Sequence, residues 1–218
     1  MKKIILYLTI FFLLNIDLYS QFVSPMFTPG NAVLTDFSGT NGIYDPKEFV
    51  VSILNTKDAY PNAPKGSNWN GIQFYHHPTW IGEVLGQVFG ITIDNSYNIY
   101  VSSTSVYGKF NYGIGGSGAI YKLDAQTGVS SVFTTLPNFL DKTENYYPGL
   151  GNICYDKKHN QFFATNFEDG KIYRIDYSGN ILDSFDPFTV DNGLNGFAPL
   201  GERLWLSLIH ISEPTRPY

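Results

Sequence analysis

Apolar and polar positions alternate along much of this 218-residue chain, and the alternation recurs in a fixed order. Phe89 to Thr104 (FGITIDNSYNIYVSST) runs through a glycine, a short apolar stretch, an aspartate, a polar turn and an aromatic stretch. Leu150 to Asn166 (LGNICYDKKHNQFFATN) repeats that layout, matching Asp94 to Asp156, Asn98 to Asn160 and Tyr100 to Phe162. A related second half follows each: Gly118 to Phe133 (GAIYKLDAQTGVSSVF) and Gly170 to Phe185 (GKIYRIDYSGNILDSF). A period of two suits a β-strand, whose successive side chains point to opposite faces. Each copy therefore predicts four strands in an antiparallel meander.

The turns carry their own chemistry. Asp94, Asp124, Asp156 and Asp176 each close a strand and stand ready to accept backbone N–H groups two residues on. Gly128 and Gly179 supply positions where φ can be positive. Because the aspartates recur in every copy, they are assigned to folding and not to a unique active site.

A third copy starts at Gly196, with Gly201-Glu-Arg as its turn and Leu204-Trp205-Leu206 as its second strand. The spacing is 45 residues from Gly151 to Gly196 and 61 from Gly90 to Gly151, the excess lying in SVYGKFNYGIGGSG and the PNFLDKTENYYPGLG loop. Four-stranded units at such a period predict an all-β fold, a β-propeller of four-stranded blades. A row of independent sandwiches is the structural alternative. About two full blades and partial ones are present, so the expectation is an incomplete ring, the chain being a fragment. Ile209 to Tyr218 (IHISEPTRPY) supplies no further strands. Leu206 to Arg216 (LSLIHISEPTR) resembles the in-frame translation of a transposase adapter used to build sequencing libraries, which marks 206–218 as an adapter-derived, non-native tail.

At the other end, Lys2 and Lys3 precede an apolar run from Ile4 to Leu14, and a polar stretch leads to Ser20. This is the layout of a secretory signal peptide over residues 1–20, too short to span a bilayer. The protein is expected to be secreted or placed at the cell surface. Residues 21–70 read as an irregular segment, with Phe49 to Thr56 as a strand that could close a ring, and residues 71–205 as the blades. Pro61, Pro64 and Gly66 make the stretch between them a loop.

Composition narrows the partners. Fourteen basic residues against 19 acidic give a net charge of −5, without a basic patch, which argues against nucleic acid. Sixteen tyrosines, 17 phenylalanines and 21 glycines favour strands and tight turns. The single cysteine, Cys154, cannot form an intrachain disulfide and reads as a small side chain in an apolar strand.

The stretches GQVFGITIDNSYNIYVSS, GAIYKLDAQTG, GLGNICYD and TNFEDGKIYRIDYSG resemble NHL-like and gluconolactonase-like propellers, and more closely the propeller regions of secreted bacterial proteins exported by the type IX route. The resemblance covers about residues 72 to 205. It implies a propeller, and for the gluconolactonase-like group a calcium or similar hard cation held at one end of the channel by acidic and amide oxygens. Surface proteins of the exported group often end in a sorting domain.

Three places could carry chemistry. Asn166, Glu168 and Asp169, between the second and third strands of their repeat, offer oxygen ligands of the kind calcium takes; the same residues also make ordinary turn chemistry. His76-His77 could bind a metal, but consecutive strand residues face apart, and packing beside Trp80 is the plainer assignment. The aromatic loops NWNGIQFYHHPTW and VYGKFNYGIGG could stack on sugar rings. No nucleophile elbow, phosphate loop or Cys/His pair is present in the sequence, and no catalytic residue is assigned. Three functions follow as expectations: a binding or scaffolding module, a metal-dependent lactonase-like hydrolase, or a carbohydrate-binding surface protein whose partner is a glycan or another surface protein.

Overall fold

The computed structural model describes residues 30–39, 43–55, 74–104, 111–138 and 148–188, together with Ala198 and Leu204. Residues 1–20 and 206–218, expected to be a signal peptide and a non-native tail, and much of the 21–70 segment lie outside the described residues. The fold is all-β, with antiparallel sheets and a single helical turn among the described residues.

Three sheets follow one another along the chain. The first contains β1 (Asn31–Thr35), β2 (Val51–Asn55) and β3 (Phe74–Tyr75), in that order. A short helix, α1 (Gly82–Leu85), leads into the second sheet: β4 (Val88–Ile93), β5 (Ile99–Ser103), β6 (Ala119–Leu123) and β7 (Ser130–Thr135). The third holds β8 (Leu150–Asp156), β9 (Gln161–Asn166), β10 (Ile172–Asp176) and β11 (Ile181–Phe185). Both four-stranded sheets are meanders in sequence order, as the alternation predicts.

Register corrects the sequence matching by one residue. Tyr121 pairs with Val101 in the second sheet, and Tyr173 with Ala164 in the third. Since Tyr121 and Tyr173 are equivalent in the repeat, Tyr100 corresponds to Phe163, not to Phe162. The cause is the turn before the strand. Ile93 pairs with Ile99, whereas Tyr155 pairs with Phe162, so the second turn is one residue longer. Asn98 is therefore answered by Gln161, not Asn160: Asn98 donates to Oδ2 of Asp94 at 2.8 Å, and Gln161 to Oδ2 of Asp156 at 3.0 Å. Tyr97 and Asn160, each the last residue of its turn, both take a positive φ.

All four turn aspartates act alike. Oδ1 of Asp94 accepts the N–H groups of Ser96 and Asn98, and that of Asp124 those of Gln126 and Thr127. Oδ1 of Asp156 accepts from Lys158 and His159, and that of Asp176 from Ser178 and Asn180. These bonds satisfy turn N–H groups that no strand partner reaches.

The second sheet is buried on both faces. Ile99, Val101, Ala119, Tyr121 and Leu123 join Val51, Ile53, Trp80 and Leu85 in a core shared with the first sheet. The alternate residues Tyr100 and Ile120 enter a second core with Ile153, Phe162, Ala164, Tyr173 and Ile175 of the third sheet. Strand alternation thus splits one meander between two cores. The first strands lie side by side: β1 beside β4, and β4 beside β8. Thr35 donates to the carbonyl of Phe89 at 3.1 Å, and Ser102 to that of Gly151 at 2.8 Å. Gly90 permits the second approach, because a Cβ there would stand 2.7 Å from both Asn152 Cα and Gly151 O.

The N-terminal region is more regular than its sequence suggests. Phe49 to Thr56 does contain a strand, β2, but β1 and β3 flank it, and β3 pairs with β2 across residue 70. Among the described residues no helix is long and apolar enough to cross a membrane.

Candidate functional site

The hairpin between β9 and β10 gathers Asn166, Glu168 and Asp169, and it lies at the end of the sheet away from the Asp156 and Asp176 turns. Asn166, the last residue of β9, is fully buried, as is Glu168. The Asn166 N–H donates to the Lys171 carbonyl at 2.9 Å and its carbonyl accepts from Gly170 at 3.0 Å, which closes the hairpin.

Asn138, which sequence reasoning passed over, completes the cluster from the link after β7. Its Nδ2 donates to Asn166 Oδ1 at 3.0 Å, and its Oδ1 accepts the Gly149 N–H at 2.7 Å. Asn166 Oδ1 also accepts the Glu168 N–H at 3.1 Å, and its Nδ2 donates to the Pro137 carbonyl at 2.8 Å. The two amides bracket the β7–β8 link to the β9–β10 hairpin. Nothing in the sequence pattern signals this pairing across 28 residues.

Asp169 is held by its own hairpin. Oδ1 accepts the Lys171 N–H at 2.9 Å, and Oδ2 accepts the Tyr173 hydroxyl at 2.5 Å. Burial raises the Asp169 carboxyl pKa above the usual carboxylate value, partly countered by those two bonds and by the nearby Lys171 charge. Burial together with the Asp169 carboxylate pushes the Tyr173 hydroxyl pKa up. A cation drawing on Asn166 or Asp169 would have to compete with the protein donors already on their oxygens, and among the described residues no group of three or more His, Cys, Asp or Glu side chains converges as a metal site. Asn166, Glu168 and Asp169 would be the residues to hold calcium here. As they stand, Asn166 and Asp169 pin the hairpin.

The histidines are separated. They follow β3 and do not lie in a strand: His76 stacks on Phe49 with ring centroids 4.4 Å apart, while His77 Nδ1 lies 2.8 Å from Thr79 Oγ1. Burial lowers the His77 pKa. His77 tilts against Trp80, centroids 6.1 Å apart. Trp80 is fully buried, and its Nε1 donates to the Gly128 carbonyl at 2.7 Å, so it is a core residue and not a platform for a sugar. Tyr112, from the second aromatic loop, donates to the Pro148 carbonyl at 2.5 Å. Residues 68–73 and 106–110 of the aromatic loops lie outside the described residues.

At the opposite end of the sheets, Asp94 is a buried hub. Besides its turn, its Oδ2 accepts the hydroxyls of Tyr100 at 3.1 Å and Tyr177 at 2.8 Å. Burial and the Asp94 charge push the Tyr100 pKa up. This arrangement joins the second sheet to the third and leaves neither tyrosine poised as an acid.

No family model matches the chain. Colossin-A of Dictyostelium discoideum is 33% identical over 103 residues, 46% of this chain, and the chain spans about 1% of that protein's length. A solved structure titled as a luciferin-regenerating enzyme aligns over 72% of this chain and 46% of its own, at 12% identity and a TM-score of 0.32. Neither supports the NHL or gluconolactonase-like resemblance.

Proposed function

We propose that this chain is part of an exported β-propeller protein that serves as a binding or scaffolding module. The observation that carries the reading is the second sheet, sandwiched face to face between its neighbours while β1, β4 and β8 run adjacent. Blades set around an axis have that relation, inner strand beside inner strand. The Met1–Ser20 leader pattern supports export. The polar clusters fit a scaffold: the aspartates recur as turn acceptors, and Asn138, Asn166 and Asp169 are engaged in bracing one hairpin.

One observation favours a second reading, a metal-dependent lactonase-like hydrolase. Asn138 and Asn166 are hydrogen-bonded beside a hairpin that also carries Glu168 and Asp169, residues of the oxygen-bearing kinds that calcium takes. Lactone hydrolysis and thermal melting of the purified protein, each with calcium and with EDTA, separate the two. The module reading expects no turnover and an unchanged Tm. Calcium-dependent turnover that disappears in Glu168→Gln would replace it with the hydrolase.

A further inference from the structure

β1 comes first in its sheet along the chain, yet it is built like a second strand. Gly30, at its entry, takes a φ of +92°, as Tyr97 and Asn160 take positive φ ahead of β5 and β9. Counting on from these three, Asn31 matches Asn98 and Gln161, and Thr35 matches Ser102. The contacts agree. The Thr35 hydroxyl donates to the Phe89 carbonyl at 3.1 Å, and the Ser102 hydroxyl to the Gly151 carbonyl at 2.8 Å. Phe89 and Gly151 are themselves equivalent, each two residues before an isoleucine that pairs with the second strand: Ile91 with Val101, and Ile153 with Ala164. β1 therefore corresponds to β5 and β9, which β4 and β8 flank on one side. Among the described residues nothing pairs with that side of β1.

The edge is suited to pairing. The Asp94 N–H donates to the Asn98 carbonyl, so the alternate residues Tyr100 and Ser102 turn their backbone groups toward β4. Their matches, Val33 and Thr35, turn theirs to the open side of β1, and the bond from the Asp36 N–H to the Val50 carbonyl gives the same phase. The edge strands of the two four-stranded sheets each carry one extra residue: between Val88 and Ile91 in β4, between Leu150 and Ile153 in β8, at Phe133 in β7 and at Leu182 in β11. Such bulges blunt an edge against further pairing. β1 has none. It makes five consecutive pairs with β2 and contains neither proline nor charge, the regularity of an interior strand. We propose that β1 is an acceptor edge, to which an extended, uncharged segment of a separate polypeptide adds antiparallel, as β4 does to β5. Main-chain hydrogen bonds to an open edge supply the affinity in such an addition. The chemistry of the segment follows from its neighbours, since β1 (NAVLT) and the adjacent β4 (VFGITI) are uncharged. Leu34, 42% exposed in the chain as a whole, would be flanked by the added strand. The inference rests on the module reading, whose partner it names.

The probe is a synthetic peptide with the β4 sequence, Gln87 to Asp94, flanked by lysines for solubility and added to the full chain. Exchange of the Val33 amide, fast in the chain alone, is expected to slow at least about tenfold with the peptide at saturation. Of two peptides N-methylated on alternate residues, one should act and the other should not, because a strand offers donors to β1 from one edge only. No slowing, or equal action by both methylated peptides, overturns the proposal. So does a Val33 amide already slow in dilute protein without peptide, which would mean that the chain's own residues hold the edge. Protection that grows with protein concentration would make a second copy the occupant and overturn it likewise. The two readings fail separately: an inert peptide would end this inference and leave the module standing with another ligand, while calcium-dependent lactone turnover would end the module reading whatever the peptide does.

Discussion

Tyr177 and Asp94 belong to different sheets, and the tyrosine hydroxyl donates to Asp94 Oδ2 at 2.8 Å. The same oxygen accepts Tyr100 and Asn98, while Oδ1 holds the turn. One buried carboxylate therefore closes a turn within its own sheet and ties that sheet to the next.

Replacing the carboxylate by an amide separates those duties. In Asp94→Asn, Oδ1 still accepts the turn N–H groups, but an NH2 faces three donors. Hydrogen bonds to a charged group contribute about 1.5–3 kcal/mol each, and a buried group left unsatisfied costs a similar amount. A loss of about 2–4 kcal/mol in urea unfolding is expected, and a loss below about 0.5 kcal/mol would remove Asp94 from this role.

Gly128 should tolerate no side chain. Its φ is +75°, and a Cβ would lie 2.6 Å from the His77 ring. Gly116 has a similar φ of +79° with nothing within 4 Å of the added atom. Gly116→Ala is expected to cost about 1 kcal/mol through backbone strain alone, and Gly128→Ala more. Equal losses in thermal melts would contradict the packing of His77 on this turn.

Acid should destabilise the protein through its turns. The folded pKa values of Asp124, Asp156 and Asp176 are lowered. Burial opposes the lowering at Asp124 and Asp156. At Asp124 the bonds from Thr127 and Gln126 outweigh it, and at Asp156 those from Gln161 and His159 do. At Asp176 the Asn180 bonds lead. A carboxyl with a lowered folded pKa stabilises the fold above its unfolded pKa, and that contribution is lost as pH falls through the folded value. Melting temperature should therefore drop below about pH 4. Asp169 is raised, so its own contribution has the opposite sign and improves on protonation. Asp176→Asn, which keeps an amide oxygen in the turn, should flatten the acid fall; an unchanged pH profile would sink this assignment.

Phe162 packs against Tyr100 and Phe133 of the neighbouring sheet, at centroid distances of 4.4 and 5.2 Å, and is fully buried. Phe162→Ala should cost about 3–5 kcal/mol and speed hydrogen exchange in β5. A loss under 1 kcal/mol would mean that the second core does not join the two sheets.

Much of this fold was legible because the repeat is written in alternation. Ile120 to Asp124 and Ile172 to Asp176 gave β6 and β10 directly, and the aspartates gave the turns. The one-residue slip at Tyr100 and Asn98 arose because asparagines at 98 and 160 invited a match. The shared features are instead the positive φ of Tyr97 and Asn160 and the amide contacts of Asn98 and Gln161, neither visible as residue identity. β1 and β3 were missed because their regularity comes from pairing with β2. At the candidate site, Asn166 and Asp169 were found as polar residues in a hairpin. Asn138 was not, since its partner is set by how the β7–β8 link crosses the hairpin.

The stacking of consecutive sheets is tested most directly by a double-mutant cycle on Asp94→Asn and Tyr177→Phe, residues 83 apart in sequence. Face-to-face sheets predict a coupling energy of about 1 kcal/mol or more in urea unfolding. Additivity within about 0.3 kcal/mol would place the two residues out of reach of each other and contradict the account.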